Sequence, residues 1–274
     1  MSVTSFAAAQ FLRAIPRVRL SRAVGRLCDR PLPPRLSRVL ETAYVRAYGV
    51  NMTEVEPRRG AYPSFDAFFT RTLRAEARPI DDDVVVSPAD GTIQATGPID
   101  KGARIFVKGR PYDVGDLVGD HADVGRYSDG SFVVVYLSPR DYHRVHAPVD
   151  GEIRRVRGIP GDLFPVNSIG ERHVPDLFVR NSRVTIPIDT SSLGLVTVVM
   201  VGAVIVGRIT VSALPGQPNP MGEHAVHPPH FVQRGDELGT FHLGSTAVLL
   251  LEPGIRIARD HGPVRYGQAL TKAT

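Results

Sequence analysis

From Val84 to the C-terminus the apolar residues come in short β-branched or aliphatic runs. These are Val84–Val86, Phe132–Leu137, Arg183–Ile188, Leu195–Val206 and Ala247–Leu251, each bounded by Gly, Pro, Asp or Asn. Runs of this length and punctuation predict strands. The first fifty residues read differently. Phe6, Phe11, Leu12, Ile15, Val18, Leu20, Val24 and Leu27 are interleaved with arginines at helical spacing, and Pro16 kinks or divides the stretch. Pro31, Pro33 and Pro34 interrupt it, and Arg35–Tyr48 predicts a further helix. Ser64 stands where a side-chain oxygen caps a helix start, ahead of the apolar face of Phe65, Phe68 and Phe69. The expectation is an α+β chain: a helical N-terminal region over 1–83, then a β-rich sandwich or barrel-like body over 84–274.

One repeat suggests that this body has two similar halves. Pro88-Ala89-Asp90-Gly91-Thr92-Ile93 matches Pro148-Val149-Asp150-Gly151-Glu152-Ile153, sixty residues on. Asp-Gly favours tight turns, so two hairpins are expected, and either aspartate can be a plain turn residue.

Charge changes the picture only at the N-terminus. Residues 1–40 hold eight arginines against one acid, Asp29, a net +7; the whole chain is +5, so the other 234 residues carry −2. An apolar helix edged by arginines suits a membrane interface with anionic headgroups, or a helix packed on its own domain with a solvated basic face. The most apolar run, Leu195–Gly207, is too short to span a bilayer, which takes about 20 residues. The apolar stretch Phe6–Leu12 lacks the preceding positive charge of a secretory signal, while an Arg-rich, acid-poor start also suits a mitochondrial transit peptide. The single cysteine, Cys28, excludes an internal disulfide and a cysteine-built zinc site. Nucleic acid is not an expected partner, since no basic stripe interleaved with aromatics runs through the body.

Three segments can carry chemistry. Tyr136-Leu-Ser-Pro-Arg-Asp-Tyr-His143-Arg-Val-His146 places two imidazoles, the usual proton-transfer groups near neutral pH, just past a strand. Gly244-Ser245 precedes the strand Ala247–Leu251, and Gly244 permits a strained backbone that presents its carbonyl to the Ser245 hydroxyl. With Asp90 these give an Asp–His–Ser set, Asp90, His146 and Ser245, in which a base takes the serine proton and an acid orients the base. The residues alone leave its substrate open. His224, His227 and His230 are spaced by three, but Pro228 and Pro229 prevent a helix from aligning them; they read as a polar loop, and no metal is expected.

Over nearly its whole length the chain resembles the phosphatidylserine decarboxylase proenzymes of the bacterial and mitochondrial type. The resemblance rests on Phe68–Arg74 with Arg78–Asp81, Ser87–Gly91, Tyr136–Pro148, Pro160–Asn167, Val201–Gly207, Gly235–Gly239 and Leu243-Gly-Ser-Thr246. Asn181-Ser182-Arg183-Val184 departs from a common Asn-Glu-Arg-Val, and 215–230 matches poorly. The resemblance implies that Asp90, His146 and Ser245 drive self-cleavage between Gly244 and Ser245. The products would be a β chain (1–244) and an α chain (245–274) headed by a pyruvoyl group made from Ser245. That covalent pyruvate would hold substrate as a Schiff base while CO2 leaves, with His143 donating the proton, converting phosphatidylserine to phosphatidylethanolamine. It further implies a zymogen of phospholipid biosynthesis, peripheral on the cytoplasmic side of the cell membrane or, alternatively, at the mitochondrial inner membrane. Its assembly is compatible with a dimer of αβ units. Two rivals stand beside it. A hydrolase using the same three residues on an external ester would keep Ser245 intact. A lipoyl-type carrier would present a lysine at a hairpin tip, yet Lys101, Lys108 and Lys272 lie in neither of the twin Asp-Gly turns.

Overall fold

The computed structural model describes residues 17–166, 168–204 and 208–271. Helices α1 (Arg17–Asp29) and α2 (Pro34–Tyr48) flank the proline-rich break. Pro34 takes the first helical position, where an N–H would have no helical partner, and Gly49 closes α2 at φ 68°. The helical reading of Phe6, Phe11, Leu12, Ile15 and Pro16 lies outside the described residues. Ser64 Oγ accepts the Ala67 amide at 3.1 Å and caps α3 (Phe65–Phe69). That short helix buries Phe68 and Phe69 edge-on to Tyr44 of α2.

The body is antiparallel. Its eight-stranded sheet runs in the order β10 (Gly222–Val232), β6 (Gly151–Ile159), β7 (Arg183–Asp189), β8 (Leu195–Gly202), β12 (Ser245–Leu251), β4 (Ser131–Leu137), β1 (Gly91–Pro98), β13 (Gly262–Val264). A three-stranded sheet, β5 (Arg144–His146), β11 (Glu237–His242) and β9 (Arg208–Val211), lies on it, and β2 (Arg104–Val107) pairs with β3 (Arg110–Asp113). The two layers meet at Gly239 of β11, where a side chain would stand 3.1 Å from the Met200 sulfur of β8. β8 and β12 are buried along their whole length, which is why both read as unbroken apolar runs rather than alternating ones.

The strands predicted at Phe132, Arg183 and Ala247 are present. Val84–Val86 is not a strand: only Val86 is bridged, to Ala269. The run from Leu195 ends as a strand at Gly202, and 205–207 lie outside the described residues. The loop expected around His224, His227 and His230 is instead β10, an edge strand whose pairing with β6 shifts between Ala225 and His230, across the two prolines. Proline tolerates this place because an edge needs fewer N–H donors. The first strand of the body opens at Gly91.

The Asp-Gly pairs do not form hairpins. Each opens a long strand, β1 or β6, and each glycine is needed because a Cβ would run into a neighbouring carbonyl, that of Tyr136 for Gly91 and of Asp189 for Gly151. The two copies bind each other about a local two-fold: Val86 donates to the Pro148 carbonyl at 3.0 Å and His146 to that of Pro88 at 2.7 Å. The relation extends to a second, fainter repeat. Gly267 donates to Ser87 and Ser87 to Gln268, as Gly235 donates to Ala147 and Ala147 to Asp236. Gly235 and Gly267 have φ of 89° and 82°, and both abut the Ile80 side chain, which wedges between the halves. Val232-x-x-Gly235-x-x-Leu238 thus answers Val264-x-x-Gly267-x-x-Leu270.

Candidate active site

Strand register gathers the predicted residues at one end of the body. Tyr136 of β4 pairs with Thr92 of β1 on one side and with Thr246 of β12 on the other. Asp90 and Ser245 therefore enter their strands on either side of the C-terminal end of β4, with one strand between them, a span of roughly 10 Å. The loop that follows β4 carries His143 into β5, and the His143 carbonyl accepts the Phe241 amide at 2.9 Å, four residues before Ser245.

Ser245 is buried, and among the described residues its hydroxyl has no hydrogen-bond partner; the Thr246 hydroxyl is in the same condition. The backbone leading to it is strained, though not where the sequence suggests. Gly244 is outside the left-handed region, whereas Leu243 sits at φ 86°. A leucine held there costs about 1–3 kcal/mol, which surrounding structure must sustain.

Both histidines present the same tautomer. His143 Nδ1 lies 2.9 Å from the Asp141 carbonyl and His146 Nδ1 lies 2.7 Å from that of Gly235. A carbonyl only accepts, so each Nδ1 carries the proton and each Nε2 keeps a lone pair. Both Nε2 atoms are buried and have no partner among the described residues. Burial pushes His143 down to about 3, and the Arg71 charge adds to this against the Asp141 hydrogen bond. Burial lowers His146 as well, so both rings are neutral at physiological pH. His143 packs on Phe69, with ring centroids 4.3 Å apart, and Tyr44 of α2 donates to the Pro139 carbonyl at 2.9 Å. The helical region thus braces the histidine loop.

Asp90 does not take the orienting position beside the base. Its carboxylate accepts the Tyr266 amide at 2.9 Å and a fork of bonds from Arg78, whose Nε lies 3.0 Å from each oxygen. Arg78 also bonds Glu54 at 2.8 Å, and its proton is held more tightly than usual by these partners despite burial. Among the described residues no hydrogen bond joins Asp90 to His146. The link is indirect: the Tyr266 ring lies flat on His146 at 3.7 Å, with an interplanar angle of 4°. The Gly235 carbonyl fixes the imidazole edge and Tyr266 fixes its plane.

Sequence reasoning missed Arg78, Tyr266 and the Gly235 carbonyl as partners, and it missed a second Asp–His couple. His242, two residues before Gly244, holds Asp66 through Nδ1 at 2.8 Å, and Arg208 shares that carboxylate at 2.9 Å. This anchors the segment before Gly244 to α3. Arg183, beside the departure at Ser182, is satisfied by carbonyls, including Leu117 at 2.7 Å and Asn181 at 3.1 Å.

Residues 65–272 match the sequence model of the phosphatidylserine decarboxylase family. The phosphatidylserine decarboxylase proenzyme of Psychrobacter arcticus is 41% identical, over 94% of this chain and 96% of the relative. That of Bordetella avium is 41% identical over 97% and 93%, and that of Azotobacter vinelandii 41% over 95% and 96%. With a match that spans the helices, the repeat, both histidines and the Gly244–Ser245 junction, the chain belongs to the phosphatidylserine decarboxylase family.

Proposed function

We propose that the chain is a phosphatidylserine decarboxylase proenzyme that cuts itself at Gly244–Ser245 and works with the pyruvoyl group left on residue 245. The observation that carries this reading is the buried, unpartnered Ser245 hydroxyl just past a left-handed Leu243, in a site where His146 keeps a free Nε2 lone pair. His146 Nε2 takes the Ser245 proton while Oγ attacks the Gly244 carbonyl carbon. The C–N bond breaks, the proton passes to the Ser245 nitrogen, and an ester joins the two residues. Loss of the Ser245 Cα proton expels the Gly244 carboxylate and leaves dehydroalanine, from which water releases ammonia to give the ketone. Asp90, held by Arg78 and the Tyr266 amide, lends negative potential to the imidazolium that forms.

The residues present fit a pyruvoyl group: position 245 is buried at the start of a central strand, with the Thr246 hydroxyl free beside it. That group supplies a conjugated ketone that accepts the electrons released with CO2 from an amine-bearing substrate. His143, neutral by burial, serves as a relay rather than a store. Its Nε2 takes a proton from the substrate ammonium and returns it to the carbon that CO2 leaves.

The lipid is met at the surface. Leu20, Leu27, Leu36, Val39 and Leu40 are exposed on α1 and α2, among Arg19, Arg22, Arg26, Arg35 and Arg38. No helix among the described residues is long and apolar enough to cross a membrane. We assign this face to docking on the anionic cytoplasmic surface of the cell membrane.

Denaturing mass analysis tests the chemistry. The wild-type chain should resolve into two fragments, Ser245→Ala should stay at 29.8 kDa, and His143→Ala should cleave yet release CO2 at least about 100-fold more slowly. An intact wild-type chain whose Ser245 reacts with a fluorophosphonate would overturn the reading in favour of a hydrolase.

A further inference from the structure

Beside Asp90 opens a cavity of about 550 Å³ lined by five arginines: Arg71, Arg78, Arg140, Arg259 and Arg265. Its acids are already engaged. Asp90 and Glu54 are held by Arg78, Arg265 also reaches Glu54 at 3.2 Å, and Asp141 accepts the Ser138 amide and hydroxyl at 2.7 Å. Among the described residues Arg71 and Arg259 have no carboxylate partner.

Arg71 is the more telling of the two. It is 4% exposed, and among the described residues its Nε has no hydrogen-bond partner and its other nitrogens reach only the carbonyls of Phe69, Arg140 and Asp141, at 3.4, 3.2 and 3.5 Å. Arg183 shows what a buried arginine looks like when it is purely structural: its Nε and both terminal nitrogens bond carbonyls at close range. A buried guanidinium left short of both charge and hydrogen bonds is costly unless an anion arrives to complete it. Arg71 also lies close enough for its charge to act on His143.

Resting on the reading above, we propose that Arg71 and this arginine cavity bind an oxyanion of the substrate headgroup, holding the lipid beside Asp90 and the loop that carries His143. A planar fork with a free Nε suits the paired oxygens of a phosphodiester or a carboxylate, and the headgroup of phosphatidylserine offers both. An anion there would also offset the guanidinium charge that disfavours proton uptake by His143.

The test uses cleaved enzyme acting on phosphatidylserine in mixed micelles, with self-cleavage scored separately on denaturing gels. Arg71→Gln should self-cleave, retain most of kcat, and raise KM about 10- to 100-fold, the worth of a charge-assisted pair. Arg71→Lys should fall between. Two soluble headgroup probes identify the oxyanion. If glycerophosphoethanolamine inhibits wild type but no longer inhibits Arg71→Gln, the site holds the phosphodiester. If only inhibition by glycerophosphoserine is lost, it holds the carboxylate. Unchanged KM and unchanged inhibition by both probes would overturn the proposal, as would a fall in kcat alone. Should Arg71→Gln not accumulate, the half-exposed Arg259→Gln decides in the same assay: a raised KM supports the site and an unchanged one rejects it. Absence of cleavage in wild type would instead reject the proenzyme reading.

Discussion

Leu243 is where the precursor stores strain. Its φ of 86° is one that glycine adopts freely and leucine resists, and it lies one residue before the carbonyl at which the proposed self-cleavage begins. Leu243→Gly should relieve about 1–2 kcal/mol in the precursor and slow self-cleavage by up to about 30-fold, measured as the lifetime of the uncut band. The buried histidines set a second residue-scale expectation. A folded-state pKa pushed down to about 3 means that between pH 6.5 and 3 the unfolded chain binds a proton that native His143 does not. Stability is therefore full above about pH 6.5 and falls as pH drops through that window, by on the order of 2 kcal/mol between pH 7 and 5. Thermal melts should show a smaller acid loss for His143→Phe, which keeps an aromatic ring against Phe69. These contacts also mark what the sequence left hidden. Asp90, His146 and Ser245 are legible as chemical types in distinctive contexts, whereas Gly235 orients His146 through a main-chain carbonyl, to which side-chain identity gives no clue.

At the scale of elements, β12 has the strongest consequence. It lies between β4 and β8, paired to each along seven residues, with every side chain buried. The proposed cut before Ser245 would free its first residue but remove none of this pairing, leaving the α chain at the centre of the sheet. The two fragments should coelute in gel filtration at neutral pH and part only in denaturant. The same burial made β12 readable, since a run of aliphatics between turn residues has few other homes. Val84–Val86 misled for a related reason: Val85 and Val86 are buried, but under a single bridge rather than a ladder. β10 stayed hidden because its prolines and histidines look like a loop, and only an edge position makes them compatible with a strand.

Over the whole molecule, charge and apolar surface are segregated. The net positive charge is concentrated in residues 1–40, and the two N-terminal helices leave aliphatic side chains uncovered, Leu27 being 61% and Val39 63% exposed. Flotation with vesicles containing phosphatidylglycerol should carry the protein up, and Leu27→Glu with Val39→Glu should cut the bound fraction several-fold while leaving self-cleavage intact. Rising salt should weaken binding through the arginines. The α+β division was legible from this segregation of patterns. The two-fold relation was only half legible, because its second repeat shares just three residues in seven.

On the proposed cut at Gly244–Ser245, that local two-fold acquires a different meaning. Each half pairs an Asp-Gly segment with a later glycine segment, and in each the aspartate accepts an amide from the residue before that glycine: Asp150 from Arg234 at 2.7 Å, Asp90 from Tyr266 at 2.9 Å. The Asp150 half lies wholly before Ser245, while the Asp90 half straddles the cut. Cleavage therefore leaves one half an intrachain fold and makes the other an intersubunit interface. Asp90 and His146 then belong to one subunit and Tyr266, which touches both, to the other, together with residue 245. A single protomer comes to own a shared active site of the kind that enzymes usually obtain only by dimerising.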